Sequence, residues 1–340
     1  MKIGTKTALL MTALAAVHIA VLFAGFVSPY DIAQQNRDFP YAPPTHFHFG
    51  AAHGIHLRPL VCAYERRGDA DDEYLENRGR CYPIHFFVHG WQYDLFGFRS
   101  SLHLFGADAP ANIFLMGSDG YGRDVFSRFL YGGRVSLFAG LLATVLTLFL
   151  GTLLGAVAGF YGGWFDSLVM RCAELFLALP WLYLLFALRA FLPLSLSSLQ
   201  AFMLLIAVIG VVSWPRPARL IRGIVLSARE RHYVFAASLF GASDLYLIRR
   251  HILPDTYSII ITQAAMLIPQ YVLAEVMLSF LGLGMGEPVP SWGNMLSALQ
   301  QYAVLVSYWW MLIPGLAMIP VFFAYSFLAS DLLLRAADRT

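Results

Sequence analysis

Long apolar runs alternate along this chain with shorter polar stretches. The first run, residues 8–27, is about 20 residues long, which is enough for a helix to cross the hydrocarbon core of a bilayer. Five more runs follow it, at residues 135–160, 175–192, 199–214, 257–281 and 310–328. The pattern predicts an all-α polytopic membrane protein with six transmembrane helices.

The stretch between the first two runs, residues 28–134, is polar, aromatic and rich in histidine. Within it, residues 60–64 and 81–90 have the apolar and aromatic composition that is typical of short strands. Turns are indicated at three glycines, Gly90, Gly97 and Gly106. We therefore predict a small β-rich extracytoplasmic insert after the first helix.

Composition agrees with a membrane protein and excludes one class of enzyme. Hydrophobic residues make up 58% of the 340 residues and charged residues 13%, against about 25% charged in ordinary soluble domains. The net charge of +2 gives no indication of a nucleic-acid partner. The lysines are Lys2 and Lys6, whereas a P-loop needs a lysine within its glycine-rich motif to reach the nucleotide phosphates. The chain is therefore not a Walker-type ATPase.

Positive charge is distributed unevenly among the polar stretches. Residues 215–255 contain seven arginines against three acidic residues, and basic residues concentrate in the cytoplasmic loops of membrane proteins. Lys2 and Lys6 precede the first run, and Arg335 and Arg339 follow the last, on the side to which six crossings return the chain. We predict a multi-pass inner-membrane protein with both termini in the cytoplasm.

These features together predict the organisation of the chain. No convincing cleavage site follows the first run, so we expect it to remain as an anchor. The predicted parts are an anchor helix (1–27), an insert domain with a pre-helix element (28–134), a five-helix core (135–334) with a cytoplasmic loop (215–254), and a cytoplasmic tail (335–340).

The cytoplasmic loop contains a specific motif at residues 233–244, closed by the hydrophobic segment 251–254 that ends in Leu-Pro. It resembles the docking loop of ABC importer permeases, in which Glu-Ala-Ala is followed after three residues by Gly. The resemblance implies a short helix, a glycine turn and a second helix that fit a groove on a separate ATPase subunit; the alternative is a generic basic loop. The implied docking residues are Phe235, Ala236, Ala237, Gly241, Asp244, Leu253 and Pro254.

One docking position departs from the family pattern, because Phe235 stands where the family usually has Glu. The acidic group that commonly meets the ATPase is therefore missing at this position. The departure affects the detailed contacts and the identity of the ATPase, while the glycine turn and the Leu-Pro ending are retained.

Residues 115–334 are similar more widely to the dipeptide/oligopeptide/nickel branch of these permeases, most of all to the second permease of peptide systems. The motifs that carry the similarity lie at residues 117–128, 131–137, 170–180, 278–284 and 290–293. The resemblance implies the type I permease fold and a transport subunit without enzymatic activity, which holds no cofactor itself. It also implies ATP and Mg on two partner ATPase subunits, a second permease subunit, an extracytoplasmic substrate-binding protein, and a peptide or nickel substrate.

Two groups of residues are candidates for the path of the solute. One is the element just before the second run, which consists of Gly117, Asp119, Gly122, Arg123 and Asp124. One interpretation, from the family to which the chain is similar, is that it orders the outer mouth of the path. The alternative is a capped segment that leads into the next helix, with Arg123 and Arg128 pairing locally. Gln270 and Glu275 lie on the fifth run, where ionisable groups are costly and face a path or a partner. Glu275 acting as the relay of a proton-coupled secondary transporter is a further alternative.

The histidines and cysteines of the insert suggest other chemistry. Seven of the ten histidines fall there, at positions 46, 48, 53, 56, 85, 89 and 103, but their spacing matches no known ligand set. We expect no metal site, with a His-rich membrane metalloenzyme as the alternative. Cys62 and Cys81 flank a charged loop in the exported segment, which predicts a disulfide if the strands bring them within about 7 Å.

The second run and the stretch that leads into the third also contain local helix features. Gly151, Gly155 and Gly159 repeat every four residues on one face of the second predicted helix, which indicates close packing against another helix. Arg171 and Glu174 are three residues apart, the spacing of an ion pair on a helix surface.

Overall fold

A computed structural model describes residues 5–51, 54–66, 74–95, 97–191 and 196–337 of the chain. Lys2, His53, Leu192 and Arg339, which entered the predictions above, lie outside the described residues.

Helices dominate the described residues. Their bounds are α1 Thr5–Leu22, α2 Ala24–Val27, α3 Val125–Tyr161, α4 Gly163–Ala178, α5 Trp181–Ala190, α6 Ser198–Ser213, α7 Pro215–Arg229, α8 His232–Leu239, α9 Asp244–Leu247, α10 Leu253–Phe280, α11 Trp292–Leu296, α12 Tyr302–Ser307 and α13 Ile313–Ala337. A π-helical turn, Ile248–Ile252, joins α9 to α10, and 3-10 turns at Ser297–Gln300 and Trp309–Leu312 flank α12.

Four helical segments of the described chain are each long and apolar enough to cross a membrane unaided: Thr5–Leu22, Val125–Tyr161, Asp244–Phe280 and Trp309–Leu334. Two bent pairs reach this standard only when each pair is taken as one span. They are α4 with α5, bent by 92°, and α6 with α7, bent by 46°. The structure is therefore that of a mostly helical protein with several apolar helices.

The prediction of one continuous helix over residues 175–192 is wrong. Leu179 lies between α4 and α5 in an extended conformation, with φ −93° and ψ 140°. Its successor is Pro180, whose ring disfavours the helical conformation in the preceding residue. The break therefore follows from backbone sterics at a single dipeptide.

Other predicted boundaries also moved. Helix α3 begins at Val125, earlier than the predicted start at residue 135, because a polar cap described below lies at Asp124. Gly90 and Gly106, predicted in turns, lie inside strands, whereas Gly97 lies between two strands with φ +87°. The stretch at 215–254 is largely helical, because it contains α7, α8 and α9.

The chain divides into two compact units. The first comprises Met1–Leu14, Leu137–Leu278 and Phe322–Thr340. Within it, the face of α3 that carries Gly151, Gly155 and Gly159 packs closely on α7: a Cβ on Gly155 would lie 2.4 Å from the carbonyl oxygen of Ala218. Close packing of this face was predicted, but its partner is the amphipathic helix α7. In α4, Arg171 and Glu174 form the predicted ion pair at 3.0 Å.

The second unit comprises Ala15–Ser136 and Ser279–Val321. It contains an antiparallel sheet in the order β1-β2-β3-β4, with β1 His48–Ala51, β2 Gly54–Arg66, β3 Tyr74–Leu95 and β4 Phe98–Ala107. Cys62 and Cys81 lie opposite each other on β2 and β3, with Cα atoms 3.9 Å apart, and form a disulfide. Trp292 is fully buried, stacks on Phe129 and donates a hydrogen bond to its carbonyl oxygen.

Candidate functional site

The motif at residues 233–244 folds as a short helix, a sharp turn and a second helix. Helix α8 ends in a Schellman motif, a C-cap with two backbone hydrogen bonds. The N–H of Gly241 donates to Ser238 O at 3.0 Å, and the N–H of Ala242 donates to Ala237 O at 3.1 Å. This pattern needs a left-handed residue after the helix, and Gly241 has φ +84°. The hydroxyl of Ser243 then accepts a hydrogen bond from Tyr246 N and caps α9.

The predicted docking residues divide between an exposed and a packed group. Phe235 is 62% exposed and Ala236 is also exposed, so α8 presents an apolar surface that the described chain leaves uncovered. Ala237 and Leu253 pack on the core cluster that contains Val234. The packed residues therefore hold the motif in place.

The remaining docking positions lie at helix starts. Asp244 is exposed in the first turn of α9, where its charge complements the helix dipole. Pro254 is exposed at the start of α10, directly after the π-helical turn that joins α9 to α10. Asp255 beside it pairs with Arg231 at 2.9 Å, which joins the start of α10 to the residue before α8.

Gln270 and Glu275 have different environments in the first unit. Gln270 lines a cavity of about 320 Å³ at the bend between α4 and α5, together with Pro180, Arg216 and Tyr271. Glu275 is 1% exposed and does not line this cavity. The two polar residues of α10 that were predicted together are therefore not brought to one site.

The element before α3 is a capped lead-in built by two carboxylates. Asp124 caps α3, because its Oδ2 accepts hydrogen bonds from Ser127 N at 2.8 Å and from Ser127 Oγ at 2.6 Å. Asp119 accepts from the backbone N–H groups of Tyr121 and Arg123 at 2.9 and 3.0 Å. The capped lead-in considered above matches the contacts of Asp119 and Asp124, whereas Arg128 pairs most closely with a distant residue, Glu287, at 2.8 Å.

The glycines of this element allow close backbone contact. Gly117 and Gly122 have φ +74° and +68°, and a Cβ on Gly122 would lie within the contact distance of Asn36 O. Burial raises the pKa of Asp124 to about 7, although hydrogen bonds from Ser127 oppose the shift. The lead-in is thus a tightly packed segment around a carboxyl group that resists ionisation.

Glu287 joins this element from a distant part of the chain, which the sequence analysis missed. Arg123 donates from Nη1 to its Oε2 at 2.9 Å, and Arg128 donates from Nη2 to its Oε1 at 2.8 Å. Arg123 also pairs with Asp119 through Nε at 2.7 Å. The one signal in the sequence was that Glu287 is the single acidic residue between Glu275 and Asp331.

The four charged groups border a cavity of about 530 Å³ in the second unit. Two aromatic rings belong to its wall: Tyr41, which stacks on Tyr308 at 4.0 Å, and Tyr121, which lies 4.7 Å from the guanidinium of Arg123. The amides of Asn294 and Gln301 also line it. We refer to this space as the arginine cavity.

The described histidine side chains of the insert contact carboxylate, carbonyl or hydroxyl oxygens. His46 and His48 contact the two oxygens of Glu76 at 2.9 and 2.8 Å, and these hydrogen bonds, against the effect of burial, hold the pKa of Glu76 below its ordinary value. Buried His103 contacts the carbonyl oxygens of Ser28 and Trp91. Within the described residues no three His, Cys, Asp or Glu side chains are grouped as metal ligands would be.

Comparisons with known proteins agree on one class. The profile of a family described as binding-protein-dependent transport system inner membrane component matches residues 151–336. The chain is similar to the dipeptide transport system permease protein DppC of Alkalihalophilus pseudofirmus, 38% identical over 64% of this chain and 69% of the relative. It is also similar to the protein of the same name in Bacillus subtilis, 38% identical over 58% and 59% of the two chains.

One further relative is similar in sequence, and one solved structure gives a weaker match. The glutathione transport system permease protein GsiD of Pectobacterium atrosepticum is 33% identical over 66% of this chain and 72% of its own length. A crystal structure of an amino acid ABC transporter with histidines gives a TM-score of 0.45 at 18% identity, covering 63% of this chain and 94% of that one. A TM-score of this size carries no argument.

Proposed function

The chain belongs to the family of binding-protein-dependent transport system inner membrane components, and from this premise we propose how it works. It is a permease subunit of an ABC importer and a membrane protein with several apolar helices. Our proposal is that it forms half of a translocation path for short peptides, and that partner ATPase subunits bind ATP and Mg and drive it through the motif at α8 and α9. A second permease and an extracytoplasmic binding protein complete the proposed system.

The observation that carries the coupling role is the shape of that motif. A short helix with exposed Phe235 and Ala236 is closed by a left-handed glycine and followed at once by a capped helix. Such an element is rigid, because both helix ends are hydrogen-bonded, and it projects apolar side chains that need a partner. An apolar aromatic at position 235 fits an ATPase groove that is itself apolar at that point.

A peptide substrate is the proposal that the relatives favour. Two of the similar proteins are named as dipeptide permeases and one as a glutathione permease, and glutathione is itself a short peptide. A nickel-type substrate, the alternative raised by the motifs, has no support from these names.

We further propose the topology. If each bent pair is one span, the chain crosses the membrane six times. The arginines at the facing ends of the fourth and fifth spans then assign the segment between them, residues 230–243 with α8, and both termini to the cytoplasm, and the sheet of β1–β4 to the outside. Single cysteines introduced at positions in 31–130 should react with an impermeant thiol reagent in intact cells, and those in 230–243 only after lysis. Labelling of position 108 only after lysis would overturn this arrangement.

The coupling role is tested at Gly241, which has φ +84° and no atom near its missing Cβ. Gly241→Val should abolish substrate-stimulated ATP hydrolysis by the reconstituted complex, because a β-branched residue resists this conformation at a cost of about 1–3 kcal/mol. The matched control is Gly97→Val, since Gly97 has φ +87° and equally open surroundings in the insert. Equal effects of the two substitutions would show that Gly241 has no special part in coupling.

The surface of α8 is tested separately from its turn. Phe235→Ala should weaken co-purification of the ATPase with the permease, whereas Phe98→Ala, at an aromatic residue of β4 that is 79% exposed, should not. Phe235→Glu distinguishes the groove types: it restores the usual residue of the family and should be tolerated only by a basic groove. Unchanged assembly of the Phe235→Ala variant would remove this side chain from the interface.

A further inference from the structure

Two buried guanidinium groups border the arginine cavity, and a much more accessible carboxylate neutralises them. The side chains of Arg123 and Arg128 are 9% and 2% exposed, whereas that of Glu287 is 50% exposed. Glu287 accepts from both arginines, because Oε1 lies 2.8 Å from Arg128 Nη2 and Oε2 lies 2.9 Å from Arg123 Nη1. The solvent-accessible member of this ion-pair cluster is therefore the Glu287 carboxylate.

The other acid of the cluster is fixed in place. The Asp119 carboxylate has 11% side-chain exposure and is held by Arg123 Nε and by the N–H groups of Tyr121 and Arg123. With Glu287 removed, two buried cations face one fixed anion, which leaves a single uncompensated positive charge. An uncompensated buried charge is strongly unfavourable, so the site requires one carboxylate in that position.

The segment that carries Glu287 is exposed at residues 286–288, while Asn294 Nδ2 holds its flanks by donating to Met285 O at 3.3 Å and to Val289 O at 2.8 Å. Glu287 lies between the end of α10 and the start of α11, in a stretch with Gly282, Gly284 and Gly286. Gly284 contacts Ser279, but Gly286, next to Glu287, has no atom within 4 Å of the position that a Cβ would take. The Glu287 side chain is held by its bonds to Arg123 and Arg128, which are bonds that another carboxylate can make in its place.

From these contacts we infer that the arginine cavity is a binding site for the free terminal carboxylate of a short peptide, and that Glu287 occupies the place of this carboxylate when no peptide is bound. The inference rests on the proposed function, which it deepens by naming a recognition site for the solute. A bidentate guanidinium is the group that best matches a carboxylate, and two of them converge here. A volume of about 530 Å³ lies in the range of sites for small ligands.

The rest of the wall suits a peptide rather than a simple anion. The rings of Tyr41 and Tyr121 provide apolar surface, and the amide of Gln301 provides donors and an acceptor for a peptide bond. The exchange involves no covalent step: the ligand carboxylate replaces the Glu287 carboxylate on Arg123 and Arg128, and Glu287 becomes hydrated.

The experiment measures binding of dialanine to the purified full chain in detergent by saturation-transfer NMR. Glu287→Gln removes the competing charge while it keeps the shape of the side chain, so dialanine should bind at least about tenfold more tightly than to the unsubstituted chain. Dialanine amide, which lacks the free carboxylate, should show no such gain. Glu230→Gln, the same chemical change at a residue that does not line the cavity, is the matched control.

A gain in affinity cannot arise from misfolding, so the Glu287→Gln result is interpretable on its own. Arg128→Gln in the Glu287→Gln background should reverse the gain. Equal gains for dialanine and its amide, or no binding of dialanine to any variant, would overturn the inference. An absence of dialanine binding is the result expected if an acidic side chain of a partner protein used the site. Failure of the Gly241 test would leave this measurement unaffected, because it involves no ATPase.

Discussion

Replacement of Gly155 by alanine tests whether α3 and α7 can pack at their present distance only because the glycines on this face of α3 have no side chains. Gly155 lies on the stripe of α3 that faces α7, and its absent Cβ would be 2.4 Å from Ala218 O and 3.1 Å from Ala218 Cα. Ordinary contacts begin near 3.4 Å, so the added methyl group would be about 1 Å too close to the backbone. Backbone atoms cannot rotate away, and the two helices must separate.

The expected cost follows from two opposing effects. Overpacking of this kind costs about 1–3 kcal/mol, whereas alanine favours a helix over glycine by about 1 kcal/mol. We expect Gly155→Ala to lower the free energy of unfolding by about 1 kcal/mol, and Gly155→Leu by considerably more. Because α7 leads directly into α8, the same change should also reduce ATPase coupling.

The measurement is reversible unfolding in mixed micelles, followed by helical circular dichroism. Gly223→Ala is the control, since Gly223 lies within α7 and has no atom within 4 Å of its missing Cβ. It retains the gain in helix propensity without the clash, so it should be neutral or stabilising by up to about 1 kcal/mol. If Gly155→Ala proves as stable as Gly223→Ala, close packing of α3 on α7 does not depend on the glycine stripe.

Two further predictions concern the second unit. The pKa of Asp124 is raised from 3.8 to about 7, so this group binds more protons in the folded protein than in the unfolded chain between these pH values. Its contribution to the free energy of unfolding is therefore full below about pH 4 and falls by on the order of 4 kcal/mol towards pH 7. Asp124→Asn, which still caps α3, should remove this slope from unfolding measured against pH. A slope that persists in Asp124→Asn would assign it to another group. Cys62 and Cys81 should resist alkylation until reductant is added, and their joint replacement by serine should cost the insert roughly 3 kcal/mol; alkylation of both in the unreduced protein would contradict the disulfide.

Local signals predicted some elements of this protein and misplaced others, such as the turns at Gly90 and Gly106, which lie inside strands. The apolar runs predicted helices, because burial in lipid forces each segment to satisfy its own backbone hydrogen bonds. The short helix, glycine turn and second helix at residues 232–247 were expected from the resemblance of the motif to a docking loop, and Gly241 and Ser243 cap these helices within a few residues of their own position. The ion pair of Arg171 with Glu174 has the same local origin.

Contacts between distant segments were not predictable in this way. The glycine stripe of α3 indicated a close partner, but only the tertiary structure shows that the partner is α7. Pro180 was visible in the sequence, but residues 175–192 were predicted as one span, whereas α4 and α5 meet at a bend of 92° beside this proline.

The arginine cavity shows the limit most clearly. The sequence by itself determined that Asp119, Arg123 and Asp124 lie together before a helix, because backbone geometry over a few residues decides such contacts. Only the tertiary structure brought Glu287 to Arg123 across 164 positions of the chain. The physical reason is that an ion pair is specified by position in space and not by spacing along the chain, and nothing in the residues around Glu287 encodes which arginines the fold will place beside it.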